Sequence, residues 1–185
     1  MRRVRRRYAA IVVGVVVIAA VEVWHHSWRF WPRPPHIDTA LADTAGPIID
    51  GHLETSPDLT WKTIPGELHP RWFCTERPIE ATRDGSRTRV GLEAECGEYA
   101  RRGGDLLIGG AWSGPLVVTL DRGKVVHVQQ PIDGAGFVPS VNRMFSERGA
   151  AEYWRRYRLK KEMAAPEDEA RVAFGLPPGT PVRNF

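Results

Sequence analysis

The stretch CTERPIEATRDGSRTRVGLEAEC, residues 74–96, decides the fold. Arg71–Thr82 and Thr88–Tyr99 read as strands, and Arg83-Asp84-Gly85-Ser86 between them carries the Asp-Gly pair that marks a tight hairpin. Val90, Leu92, Ala94 and Cys96 alternate with Arg89, Glu93 and Glu95, giving a strand one dry and one wet face. A three-residue loop, Asp84 to Ser86, sets Cys74 directly opposite Cys96. A two-residue turn moves them out of register unless Pro78 supplies a bulge. Cys74 and Cys96 are the only thiols of the chain, and the hairpin makes them a structural disulfide. No CxxC or Cys/His grouping points to zinc, and no cofactor is expected.

Outward from the hairpin the sheet continues. Arg102-Gly103-Gly104 is a turn before the short run Asp105–Ile108. Leu116, Val118 and Leu120 form another alternating strand. Asp121-Arg122-Gly123-Lys124 turns the chain into Val125–Gln129. This makes four or five antiparallel strands over residues 71–130. Pro139–Phe145 reads as a short helix. Ser146 caps a longer one, Glu147–Met163, with Ala150, Trp154 and Tyr157 as its apolar stripe. Pro166 opens a last helix through Phe174, closed by Gly175 with Leu176 as its apolar contact. Ahead of the sheet, Ile37–Leu53 holds a helix capped by Asp38, and Gly46-Pro47 should break or kink it. Ser56–Pro65 is a loop anchored by Trp61, and the tail from Pro177 is irregular. The fold class is α+β: an N-terminal transmembrane helix, then a four- to five-stranded antiparallel sheet with the C-terminal helices packed on one face.

The first residues give an address. Arg2, Arg3, Arg5, Arg6 and Arg7 precede an apolar run from Ala9 to Val21, followed by Glu22 and the aromatics Trp24, Trp28, Phe30 and Trp31. A basic head, an apolar rod and an aromatic collar describe a signal anchor with its N-terminus in the cytoplasm. Tyr8 to Trp24 is about 17 residues, the lower limit for a span. A cleaved signal peptide fits the length, but Val21-Glu22-Val23-Trp24 follows poorly after a small-residue cleavage site. The expected organisation is therefore a basic cytoplasmic N-terminus (1–7), a membrane anchor (8–24), a Pro/Trp-rich stalk with a short helix (25–66) and an extracytoplasmic domain (67–185). A disulfide suits that side of the membrane.

The sequence pI of 9.4 does not imply nucleic acid. Five Arg and one Glu lie in residues 1–24; the remaining residues hold 21 Lys and Arg against 21 Asp and Glu, net zero. A neutral domain lacks the basic footprint of a nucleic-acid binder. The basic run Arg155–Lys161 reads as a solvated helix face. Arg outnumbers Lys 22 to 4, a bias of GC-rich bacterial genomes.

No motif names a chemistry. Gly134-Ala135-Gly136 lacks the third glycine of a dinucleotide loop, since position 139 is proline. Gly110-Ala111-Trp112-Ser113-Gly114 lacks the glycine two before the serine that a nucleophile elbow needs, and reads as a hairpin or loop. Glu93 and Glu95 share a strand face, with Glu98 nearby. On a concave sheet they could bind a cation or act as glycosidase-type acids. The histidines are dispersed without HxH or HxxxH spacing, so no metal site is expected; His127, near Asp133, is the best candidate for an active histidine. Glu93, Glu95, His127 and Asp133 are thus the candidate ligand-binding residues.

The segments Trp72-Phe73-Cys74-Thr75-Glu76-Arg77, Glu98-Tyr99-Ala100-Arg101 and Asp133-Gly134-Ala135-Gly136 resemble uncharacterised small secreted or membrane-anchored proteins of actinobacteria, over about residues 70–180. That resemblance implies no activity and no site residues. The order of sheet and helices also resembles a cystatin-like or nuclear-transport-factor-like cone, which hosts both enzymes and binders. The expected function is a membrane-held outer domain that binds an envelope protein or polymer. The alternatives are an envelope hydrolase using the acidic residues and an accessory subunit of a membrane complex.

Overall fold

The computed structural model describes residues 35, 37–159 and 163–185. The anchor, most of the stalk and Lys160 to Glu162 lie outside the described residues. Among the described residues, no helix is long and apolar enough to cross a membrane.

Helix α1 (Thr39–Thr55) comes first, its N-terminus capped as expected: Leu41 N–H donates to Asp38 Oδ1 at 3.0 Å. It runs unbroken through Pro47, against the expected kink. Pro47 lies on the exposed face while Leu41, Ala42, Ala45, Ile49 and Leu53 are buried. The carbonyl that loses a partner to proline therefore faces water.

Three hairpins build the sheet: β1 (Arg71–Asp84), β2 (Arg87–Arg102), β3 (Asp105–Asp121) and β4 (Lys124–Gln129), adjacent in chain order. Each turn has two residues and a left-handed glycine: Gly85 (φ 57°), Gly103 (φ 64°) and Gly123 (φ 75°), the last preceded by Arg122 at φ 49°. The first turn is thus Gly85-Ser86 rather than the three-residue loop. Cys74 still pairs with Cys96, because the register shifts between Pro78↔Leu92 and Glu80↔Gly91, leaving Ile79 as the extra residue. The two cysteines form a disulfide with Cα atoms 4.1 Å apart. That spacing marks a pair that does not exchange backbone hydrogen bonds.

The sheet departs from the sequence expectation in two places. Asp105–Ile108 and Leu116–Leu120 are one 17-residue strand, with Gly110 to Gly114 in its middle instead of a loop. The strand continues because it pairs with β2 along its length, absorbing one extra residue where Glu98 faces Gly109 and Gly110. The tail is also not wholly irregular: β5 (Val182–Asn184) pairs in parallel with Leu106 to Ile108, so the sheet is mixed.

Helices α2 (Phe137–Met144), α3 (Glu147–Arg158) and α4 (Glu167–Ala173) follow. Ser146 caps α3 by accepting Gly149 N–H at 3.0 Å. That helix ends before the expected Met163. Gly175 (φ 64°) closes α4, with Leu176 N–H donating to Arg171 O at 2.8 Å, a Schellman end.

The C-terminal helices do share one face, and it is the one marked wet by alternation. The dry face packs Trp72, Cys74, Leu92, Leu116 and Val118 against α1. The other face packs Ile79 and Val117 against Val141, Met144, Phe145 and Tyr153 of the α2–α3 corner. Phe73, Tyr99 and Leu106 meet Ala170 and Leu176 around α4. The polar residues of that second face become anchors for the helices, Glu80 buried and Arg89 half-buried. Glu80 accepts Ser146 N–H at 3.1 Å, and Arg89 donates to the Met144 carbonyl. The compact unit spans Pro34–Phe185, so α1 belongs with the sheet and the domain starts ahead of residue 67.

Candidate functional site

Strand β3 is much longer than its outer neighbours. β4 covers only Val117 to Asp121, and β5 covers only Leu106 to Ile108. Between them, Gly109 to Leu116 pairs with β2 alone among the described residues. The chain leaves β4 at Gln129 and turns away through Pro131 towards α2, where Ile132 N–H donates to Ser140 Oγ at 2.9 Å. Proline cannot extend the ladder.

The 56–65 loop lies beside this gap. Glu98, 1% exposed, fixes it by accepting Thr63 N–H (2.8 Å) and Ile64 N–H (3.0 Å) on one oxygen. Trp112 Nε1 donates to Leu59 O at 2.9 Å. Gly109 and Gly110 permit this approach: a Cβ on the first would fall 2.7 Å from Glu98 Oε2, and on the second 2.5 Å from Trp61 Nε1. The buried anchors of the loop are Leu59 and Ile64, whereas Trp61, expected in that role, is 48% exposed. Its ring stands edge-on to Trp72 with centroids 4.9 Å apart.

Three adjoining cavities follow from this arrangement. A central one of about 250 Å³ has Trp112 to Leu116 on one wall and Trp61, Asp58, Asp133 and Phe137 around it. It shares Asp58, Leu59 and Gln130 with a second cavity of about 270 Å³, and Ser113, Gly114 and Phe137 with a third of about 460 Å³ beneath α3.

The four sequence candidates are distributed along these cavities rather than gathered in one. Glu93 and Glu95 line the third, Asp133 the central one and His127 the second. Glu93 is taken up by cations: Arg77 Nη2 lies 2.8 Å and Arg156 Nη1 3.9 Å away. Arg156 also donates to Pro78 O at 3.0 Å and pairs with Glu152 at 2.7 Å. The basic run is thus not a uniform solvated face: Arg156 is a buried strut between α3 and the sheet. Glu95 has its carboxyl raised by burial and by Glu167. Burial pushes the nearby Tyr153 hydroxyl up to about 12, so it stays protonated. His127 and Asp133 are both exposed. Gly134 to Gly136 form a single 3-10 turn, with Gly134 at φ 67°.

A group of electrically disturbed carboxyls lies outside the candidates. Asp50 and Glu54 of α1 meet Glu76 of β1. Burial raises Glu76 to about 8, helped by Asp50, Glu54 and Glu169. Burial and Asp50 raise Glu54 to about 7, although it accepts Cys74 N–H at 3.2 Å and feels Arg71. Asp50 is raised by burial, and a hydrogen bond with Glu76 opposes this. Asp50 Oδ1 and Glu76 Oε1 are shut off from water without a donor from any other group. Two carboxylates cannot satisfy each other, but a protonated Glu76 can donate to Asp50. The i, i+4 spacing of Asp50 and Glu54 puts them on one helix face, but nothing in the sequence aims that face at Glu76. Among the described residues, no group of His, Cys, Asp and Glu could hold a metal ion.

No protein-family model, curated protein or solved structure matches this chain.

Proposed function

We propose that the chain is a single-pass membrane protein with a cytoplasmic N-terminus, whose outer domain binds a partner of the cell envelope through the cavities along β3. The disulfide carries this reading. Cys74 and Cys96 are 2% and 1% exposed, and their bridge ties the first hairpin beneath α1. A cystine persists in oxidising compartments and is rare in the cytosol. The basic, apolar and aromatic order of residues 2–31 supports the same side of the membrane. Binding suits the cavities better than hydrolysis, because Glu93 is held by two arginines rather than presented to a substrate.

Intact mass of the full-length protein from native membranes tests this reading, after alkylation under denaturing conditions with and without reductant. The expected result is full-length mass, with two labels appearing only after reduction. Two labels without reduction would place the domain in a reducing compartment, and a mass starting near Ala20 would make the protein secreted.

A further inference from the structure

Between β4 and β5 the edge of β3, unpaired among the described residues, offers backbone groups at a regular spacing. Alternate residues of a strand turn both N–H and C=O to the same edge. Leu106 N–H donates to Pro181 O, and Ile108 O accepts Phe185 N–H, so even residues face outward at that end. The extra residue opposite Glu98 reverses the alternation. Beyond it, Ala111 and Ser113 turn both groups outward, and Pro115, which is buried and has no N–H, ends the row. The 4.1 Å Cα spacing of the disulfide agrees. It makes Cys74–Cys96 a non-bonded pair, so Cys96 turns its groups to β3 and its partner Trp112 turns inward. Ala111 and Ser113 are exposed, and a Cβ at Gly114 would meet nothing within 4 Å. Gly110 is buried against the 56–65 loop and Pro115 and Leu116 are buried as well, so the open part of the gap is Ala111 to Gly114, roughly 13 Å of strand and room for a short extended segment.

The lining selects what fits. Around the central cavity stand the carboxylates of Asp58 and Asp133, and among the described residues no Lys, Arg or His lines it. Trp61 and Phe137 supply apolar surface. Unpaired main-chain groups in strand geometry call for a main-chain partner, which a glycan lacks. We propose that this gap is a docking edge for an extended peptide segment of a partner protein, bearing basic and apolar side chains, which adds to β3 as a further strand. The proposal rests on reading this domain as a binding domain and is independent of the membrane anchor.

The test uses the full-length chain in detergent and a phage-displayed random heptapeptide library, followed by synthesis of the enriched peptides. The expected peptides carry Lys or Arg among apolar residues and slow hydrogen exchange at the Ala111 and Ser113 amides. Ser113→Pro removes the central N–H while keeping extended backbone, as edge strands tolerate. It should weaken binding about tenfold, the effect of roughly one hydrogen bond plus the ring's obstruction. N-methylation of alternate peptide nitrogens leaves the protein untouched and should cost as much, covering the case in which Ser113→Pro does not fold. Failure to enrich any peptide, protection elsewhere than Ala111 and Ser113, or indifference to N-methylation overturns the proposal. Binding of N-acetylglucosamine oligomers without any peptide would also overturn it while leaving the binding-domain reading intact.

Discussion

Replacing Glu76 by glutamine should make the protein more stable at alkaline pH, an unusual outcome for removing a charged residue. In the folded chain this carboxyl titrates near 8, against 4.5 for the ordinary group. A carboxyl raised on folding gives stability that is complete below about pH 4.5 and is lost as pH rises through 8. At about 1.4 kcal/mol per pH unit the interval corresponds to at most ~5 kcal/mol. Glu76 keeps partial contact with water, and repulsion from Asp50 and Glu54 is shared between them, so about 2 kcal/mol is the working figure. Glutamine keeps the shape and can donate to Asp50 but cannot ionise. At pH 9, Glu76→Gln should exceed the wild type by about 2 kcal/mol, or roughly 4–8 °C in Tm. At pH 5 the two should nearly coincide, and the wild-type curve should fall between pH 5 and 9 where the variant's is flatter. Thermal unfolding of the disulfide-intact full-length chain at pH 5, 7 and 9 measures this. Equal stability of the two proteins at pH 9, or a wild type that gains stability from pH 5 to 9, would refute the reasoning.

Opening the 22-residue disulfide separation with Cys74→Ala and Cys96→Ala together should cost about 3 kcal/mol in guanidinium unfolding. Glu98→Ala strands the N–H groups of Thr63 and Ile64; it should destabilise by about 2–3 kcal/mol and speed hydrogen exchange at those two amides. Gly149→Ala tests packing against propensity. Alanine favours a helix by about 1 kcal/mol, but its Cβ would fall on Glu80 Oε2, beneath the Ser146 cap, so the net effect should be destabilising by about 1–3 kcal/mol. A gain in Tm for Gly149→Ala would show that Glu80 can move aside.

The sequence by itself determined what short-range geometry dictates. Gly85, Gly103 and Gly123 adopt left-handed backbone at little cost, so the three hairpins follow from their positions. The disulfide followed from strand register, with the bulge beside Pro78 correcting the turn by one residue. Asp38, Ser146 and Gly175 ended helices where local hydrogen bonds permit. Tertiary structure decided the rest. Pairing with β2 carried β3 through Gly110 to Gly114, where no apolar alternation marks a strand. Packing of the C-terminal helices turned the polar face of β2 into buried ion pairs, because α3 brought Arg156 to Glu93. Docking of α1 on the opposite face set Asp50 and Glu54 against Glu76, more than twenty residues away, and the short lengths of β4 and β5 left the edge of β3 open between them. Turns and caps involve neighbours a few residues apart, whereas the acidic cluster and open edge depend on which distant surfaces meet.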